Sequence, residues 1–139
     1  MTLTERHKLI WRSYRSLPGW VQIWVGAFLV PANAASFFLL DTLSGQLAAG
    51  AAIFVVVTNG PLVYWYCGMN RALSIPHLVA WIPLHVALVA RLSGWAGPMD
   101  TAEAVFVWVL LAINSVSLAF DVLDSWRWWQ GERETPGVG

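Results

Sequence analysis

Residues 104–120 read AVFVWVLLAINSVSLAF, an unbroken run without a single charged side chain. A helix rises about 1.5 Å per residue, so roughly 20 mostly apolar residues cross a hydrocarbon core of about 30 Å. With its near neighbours this run is long enough to do so. A barrel strand is the alternative, but such strands alternate polar and apolar residues, and this one does not. Working outward, three more charge-free stretches occupy 16–40, 42–70 and 72–90. Together they predict spans at 19–40, 47–67, 74–92 and 102–123. Short linkers then dictate an up-down-up-down arrangement. The expected fold is all-α: a polytopic four-helix antiparallel transmembrane bundle, one membrane domain over 1–139.

Composition agrees. Of 139 residues, 58% are hydrophobic and 12% charged, where soluble domains carry about 25% charge. Too few polar residues are present to cover a soluble particle of this size. Disorder requires low hydrophobicity, and a disulfide scaffold cannot be built from the one cysteine, Cys67. Eight basic and eight acidic residues cancel, so nothing draws the chain to nucleic acid. The partner that composition implies is the lipid bilayer.

Orientation follows from basic residues in the flanks, which are retained on the cytoplasmic side. Arg6, Lys8, Arg12, Arg15, Arg71, Arg127 and Arg133 fall on one side of the predicted bundle and Arg91 alone on the other. This places both termini in the cytoplasm and Asp41, Asp100 and Glu103 outside. The expected location is a bacterial-type inner membrane, multi-pass. Trp20, Trp24, Trp65, Trp126, Trp128 and Trp129 form a belt at the cytoplasmic interface, with Trp95 as an outer anchor and Trp81 and Trp108 deeper.

Residues 3–17 predict an amphipathic helix lying in the interface. Leu3, Ile10, Trp11, Tyr14 and Leu17 share one arc of the helical wheel, opposite Lys8, Arg12 and Arg15. Thr2 followed by Glu5 is a capping-box start. A rival reading takes the basic start, the apolar run and Ala32-Asn33-Ala34 as a signal peptide. It is disfavoured because the apolar run continues through Phe37-Phe38-Leu39-Leu40. Residues 131–139 are expected to be a flexible tail.

Polar groups inside the spans are where function should reside. Each span offers one near mid-depth: Asn33, Asn59, His85 and Asn114. Such a layer reads first as hydrogen-bonded glue between helices and second as a polar substrate or ion site. Pro31, Pro61 and Pro83 fall inside spans, and Asn59-Gly60-Pro61 is the strongest expected break. A second cluster gathers towards the cytoplasmic side. Asn114, Ser117, Asp121 and Asp124 line one face of the fourth span, with His77 at the depth of Asp121 and Arg71 one turn further out. An ion-pair network is the simpler reading, and a proton relay from Asp121 through His77 to His85 is the alternative.

His77 and His85 stand about 12 Å apart along the axis and some 80° around it, so one metal cannot easily take both. Haem would need histidines on facing helices, and no other span has one. No zinc ligand set, phosphate loop, nucleophile elbow or C-x-x-C pair is present, so no catalytic, metal or cofactor site is expected. Ser74 before Ile75-Pro76 reads as an N-cap. The echo of Ser16-Leu17-Pro18 in Ser74-Ile75-Pro76 suggests a duplicated hairpin.

The sequence therefore predicts a small non-catalytic membrane protein, an accessory or subunit-like component of an inner-membrane complex. It would associate with another membrane protein or with its own copies, through small-residue faces such as Ala48-Ala49-Gly50-Ala51-Ala52. A small proton-linked transporter is the second expectation, and a haem protein or membrane enzyme the third.

Overall fold

A computed structural model describes all of residues 1–139. The chain opens with an N-terminal helix, Leu3–Ser16. Its capping box forms as expected: Thr2 N–H donates to Glu5 Oε2 at 2.6 Å, and Glu5 N–H donates to Thr2 Oγ1 at 3.2 Å. Four helices long and apolar enough to cross a membrane follow: Gly19–Phe38, Leu43–Tyr66, Arg71–Leu92 and Thr101–Trp129. They are called here the first to fourth spans. There are no strands, and the bundle is all-helical. One end of the bundle carries both termini and the 67–70 loop, and is the terminal end. The other carries the turns at 39–42 and 93–100, and is the turn end.

Each span packs on the next, and the fourth returns to the first. The core is formed by Trp81, Leu84 and Leu88 of the third span, Phe106, Val107, Leu110 and Leu111 of the fourth, and Ala48 of the second. Lipid tails are as apolar as these side chains, so close packing rather than exclusion from water holds them. Ala48 and Ala49 are both buried, so part of the small-residue stretch at 48–52 is used in the bundle's own packing. The first and second spans meet through residues 30–38 of the first. At the terminal end the N-terminal helix touches both of them. There Tyr14 donates to the Gln22 carbonyl at 2.7 Å.

The first span is the irregular one. Pro31 offers no N–H to the carbonyl one turn earlier, and its ring presses on that carbonyl. The turn before it, Trp24–Leu29, widens into a π-helix, which relieves the crowding. The span tightens into a 3-10 turn at Ala35–Phe38. The expected break at Asn59-Gly60-Pro61 does not occur: the second span is helical throughout, with Pro61 inside it.

Turns fix the ends. Thr42 caps the second span by accepting from Gly45 N–H at 3.0 Å. A Cβ on Gly45 would stand 1.9 Å from the Leu39 carbonyl oxygen, so only glycine fits. Cys67, at φ 54°, ends the second span in a left-handed conformation. The capping role expected of Ser74 belongs instead to Asn70, whose Oδ1 accepts from Ala72 N–H at 2.9 Å. A 3-10 turn, Arg71–Leu73, precedes the helix proper, and this moves the cap four residues upstream of the serine. Ser74 Oγ bonds the Arg71 carbonyl at 2.6 Å and Ser125 Oγ at 2.8 Å. The fourth span runs to Trp129, six residues past the expected boundary at 123.

The stretch expected to be a flexible tail is docked. Asn70 Nδ2 donates to the Arg133 carbonyl at 2.7 Å and to Thr135 Oγ1 at 3.1 Å. Ser13 Oγ accepts from Met69 N–H at 2.9 Å. Gly68 sits so close that an added Cβ would meet Ser13 at 2.4 Å and Thr135 at 2.8 Å. The N-terminal helix, the 67–73 loop and the tail are thereby fastened at one place.

Candidate functional site

The polar residues of the spans divide into separate groups. Asn33 and Asn114 pair with each other: Asn33 Nδ2 donates to Asn114 Oδ1 at 2.9 Å, and Asn114 Nδ2 donates back at 3.2 Å. Asn114 is fully buried. This reciprocal amide pair ties the first span to the fourth and leaves no acceptor oxygen of the two unpaired. Asn59 and His85, expected in the same layer, lie elsewhere. His85 Nδ1 is 3.0 Å from the Trp81 carbonyl, and its Nε2 is 3.0 Å from Ser115 Oγ. Both its nitrogens are engaged, on the side of the bundle where Ser115 is exposed.

Asn59 joins His77 and Asp121 to make the candidate site near the terminal end. His77 Nδ1 stands 3.2 Å from Asp121 Oδ1 of the fourth span, and His77 Nε2 stands 3.0 Å from Asn59 Nδ2 of the second. The same Asn59 Nδ2 donates to the Leu73 carbonyl at 3.1 Å. A carbonyl can only accept, so it fixes which end of the amide is the nitrogen. Nε2 of His77 must then be the acceptor, and the imidazole is neutral with its proton on Nδ1, donated to Asp121. Trp81 stacks on the ring at 4.3 Å between centroids and 9° between planes. Asn59 Oδ1 and Asp121 Oδ2 are buried without a hydrogen-bond partner.

The rest of the expected cluster is not part of this chain of bonds. Arg71 Nε lies 3.3 Å from Asp124 Oδ1, and Arg71 Nη2 lies 3.6 Å from Glu132 Oε2. This ion pair sits outside the His77–Asp121 pair and is half exposed to solvent. Ser117 accepts from the Trp24 indole at 2.9 Å, joining the first span to the fourth. The relay from Asp121 through His77 to His85 lacks its last link, because no hydrogen bond joins the two histidines.

A further polar group at the turn end escaped the sequence reading. Arg91 Nη2 donates to Glu103 Oε1 at 2.8 Å, with side chains 3% and 6% exposed. Glu103 Oε1 also accepts from Ser44 Oγ at 2.7 Å, and Arg91 Nη1 donates to the Gly97 carbonyl at 3.0 Å. The signal was present. Opposite charges lie one turn inside each end of a short hairpin, but counting both as loop charges hid the pairing.

The fold and its charge distribution define a small multi-pass integral membrane protein. No protein-family model matches the chain, and comparison with curated proteins and with solved structures finds no match either.

Proposed function

We propose that this is a non-catalytic, subunit-like protein of a bacterial-type inner membrane, with both termini in the cytoplasm. It acts by association with another membrane protein or with its own copies. Orientation is supported by the gathering of Arg6, Lys8, Arg12, Arg15, Arg71, Arg127 and Arg133 at the terminal end, while Arg91 alone lies at the turn end. The observation that carries the role is the closed interior. Leu84, Leu88, Val107 and Leu110 fill the bundle between the Asn59–His77–Asp121 group and the turn end, and the Asn33–Asn114 amides are spent on each other. An indentation of about 650 Å³ between the first and fourth spans is an apolar groove lined by Ala32, Ala35, Leu39, Ala102, Val105 and Val109. A solute path needs polar walls that continue from face to face.

Proton-linked transport loses support with the missing His77–His85 link. A haem reading loses it because both histidines already engage both ring nitrogens. Purification in mild detergent from native-level expression tests the proposal. The expected result is a species above monomer mass holding a second membrane protein, or further copies, at fixed stoichiometry. A lone monomer would refute it. So would pH-driven flux in proteoliposomes that disappears in Asp121→Asn while the folded yield is kept.

A further inference from the structure

We propose that His77 is a proton-operated latch that controls the fastening of the terminal end. One amide here serves two acceptors. In the neutral state Asn59 Nδ2 donates both to His77 Nε2 and to the Leu73 carbonyl. A second proton on the imidazole turns Nε2 into a donor facing the Asn59 NH₂, and two donors cannot bond. The acceptor that fits is Asn59 Oδ1, buried on the same amide with no partner. Turning the amide over brings Oδ1 to Nε2, but it sets that oxygen against the Leu73 carbonyl, two acceptors face to face. Protonation of His77 therefore breaks the tie between Asn59 and the start of the third span.

The drive for this exchange is electrostatic. With His77 neutral, the Asp121 carboxylate is a lone charge in a half-buried position, its second oxygen without a donor. A protonated imidazole beside it makes the pair neutral overall. The other charged groups around the site do not substitute. Asp124 on the fourth span is held by Arg71, the second span lies in the charge-free stretch 42–70, and the first contains no ionisable residue. On the N-terminal helix, His7 bonds the Tyr64 hydroxyl and Arg6 bonds the Tyr64 carbonyl, at the end of the second span.

Leu73 ends the loop that holds the N-terminal helix at Ser13, the tail and the Arg71 ion pairs, while Arg6, His7 and Tyr14 tie that helix separately to the first two spans. Met69 N–H holds Ser13, Asn70 holds the tail at Arg133 and Thr135, and Arg71 holds Asp124 and Glu132. Releasing Leu73 loosens the anchor of the N-terminal helix and the tail together. Proton uptake at His77 thus becomes a change in how the two terminal segments are presented.

Cys67, the one thiol, is buried at the start of this loop and reports on it. The test follows alkylation of the full chain in detergent at pH 8 and pH 5, spanning a histidine's titration range. Each rate is normalised to the unfolded chain at the same pH. The wild-type ratio should rise about fivefold at pH 5, the equivalent of one hydrogen bond of ~1 kcal/mol. His77→Gln should abolish the rise, Asn59→Ala should label fast at both pH values, and His7→Gln should leave the rise intact. A flat wild-type profile overturns the proposal, as does a rise that survives His77→Gln or vanishes in His7→Gln. If His77→Gln does not fold, ¹⁵N-histidine spectra of the wild type decide. At pH 8 the His77 ring should carry its proton on Nδ1, and a proton on Nε2 overturns the proposal.

Discussion

Removing one member of the Arg91–Glu103 pair should be among the most damaging single changes in this chain. Breaking a buried ion pair by deleting one partner costs about 3–5 kcal/mol, because the survivor is left charged and unpaired. The two survivors differ. After Arg91→Met, Glu103 keeps only the hydroxyl and N–H of Ser44, so the cost should approach about 4–5 kcal/mol. After Glu103→Gln, Arg91 keeps the Trp95 and Gly97 carbonyls and gains an amide oxygen of the same shape. The loss should then be closer to that of one charged hydrogen bond, about 2–3 kcal/mol. The double variant Arg91→Met/Glu103→Leu removes both charges and fills the site with apolar atoms, and should cost clearly less than Arg91→Met alone. Equilibrium unfolding in mixed micelles gives all three values, and Glu103→Leu measured alone closes the double-mutant cycle with Arg91→Met. Single costs within about 0.5 kcal/mol of wild type, as for surface positions, would refute the reasoning. So would costs that add to within about 0.5 kcal/mol in the double variant.

Asn114→Ala should cost about 1–2 kcal/mol by stranding the Asn33 amide, and Asn33→Ala in the same chain should add little, again read by micelle unfolding. Gly68→Ala drives a methyl into Ser13 and Thr135; faster proteolysis or hydrogen exchange over residues 3–16 should follow, with the four spans unchanged. Thr2 holds the Glu5 carboxyl below its usual range, first through its backbone N–H and then through its hydroxyl. A lowered folded pKa stabilises the helix start above the ordinary Glu value of about 4.3 and is lost as pH falls through the lowered one. Measured against the intrinsic rate at each pH, protection of the first-turn amides should therefore fall at pH below about 4, and Glu5→Gln should remove that dependence.

The spans were legible because charge is costly in lipid, so its absence marks them almost residue by residue. The second and third begin four and three residues earlier than expected, and the fourth runs furthest past its boundary. Asp124 looked like a flank, yet it remains helical opposite Arg71, and the helix continues through Trp126, Trp128 and Trp129. The candidate site was half legible. Periodicity placed Asp121 and Ser117 on one face, and depth placed His77 beside Asp121. Which polar group meets which across helices depends on rotation and tilt, which no one-dimensional spacing records. Asn59 therefore seemed to belong with Asn33 and Asn114, although it bonds His77 and Leu73. Proline was overread at Pro61 and underread at Pro31. The first leaves a continuous helix, and the second lies just past a widened turn.

The shared fastening at the terminal end has a consequence for how the protein is made. Ser13 waits for Met69, 56 residues later, and Asn70 waits for Thr135, 65 residues later again. The first helical hairpin ends at Tyr66, so Met69 follows it closely, whereas Thr135 leaves the ribosome only after the third and fourth spans. Assembly at this end is therefore completed late: the loop that holds the N-terminal helix is locked only once residues 133–135 exist.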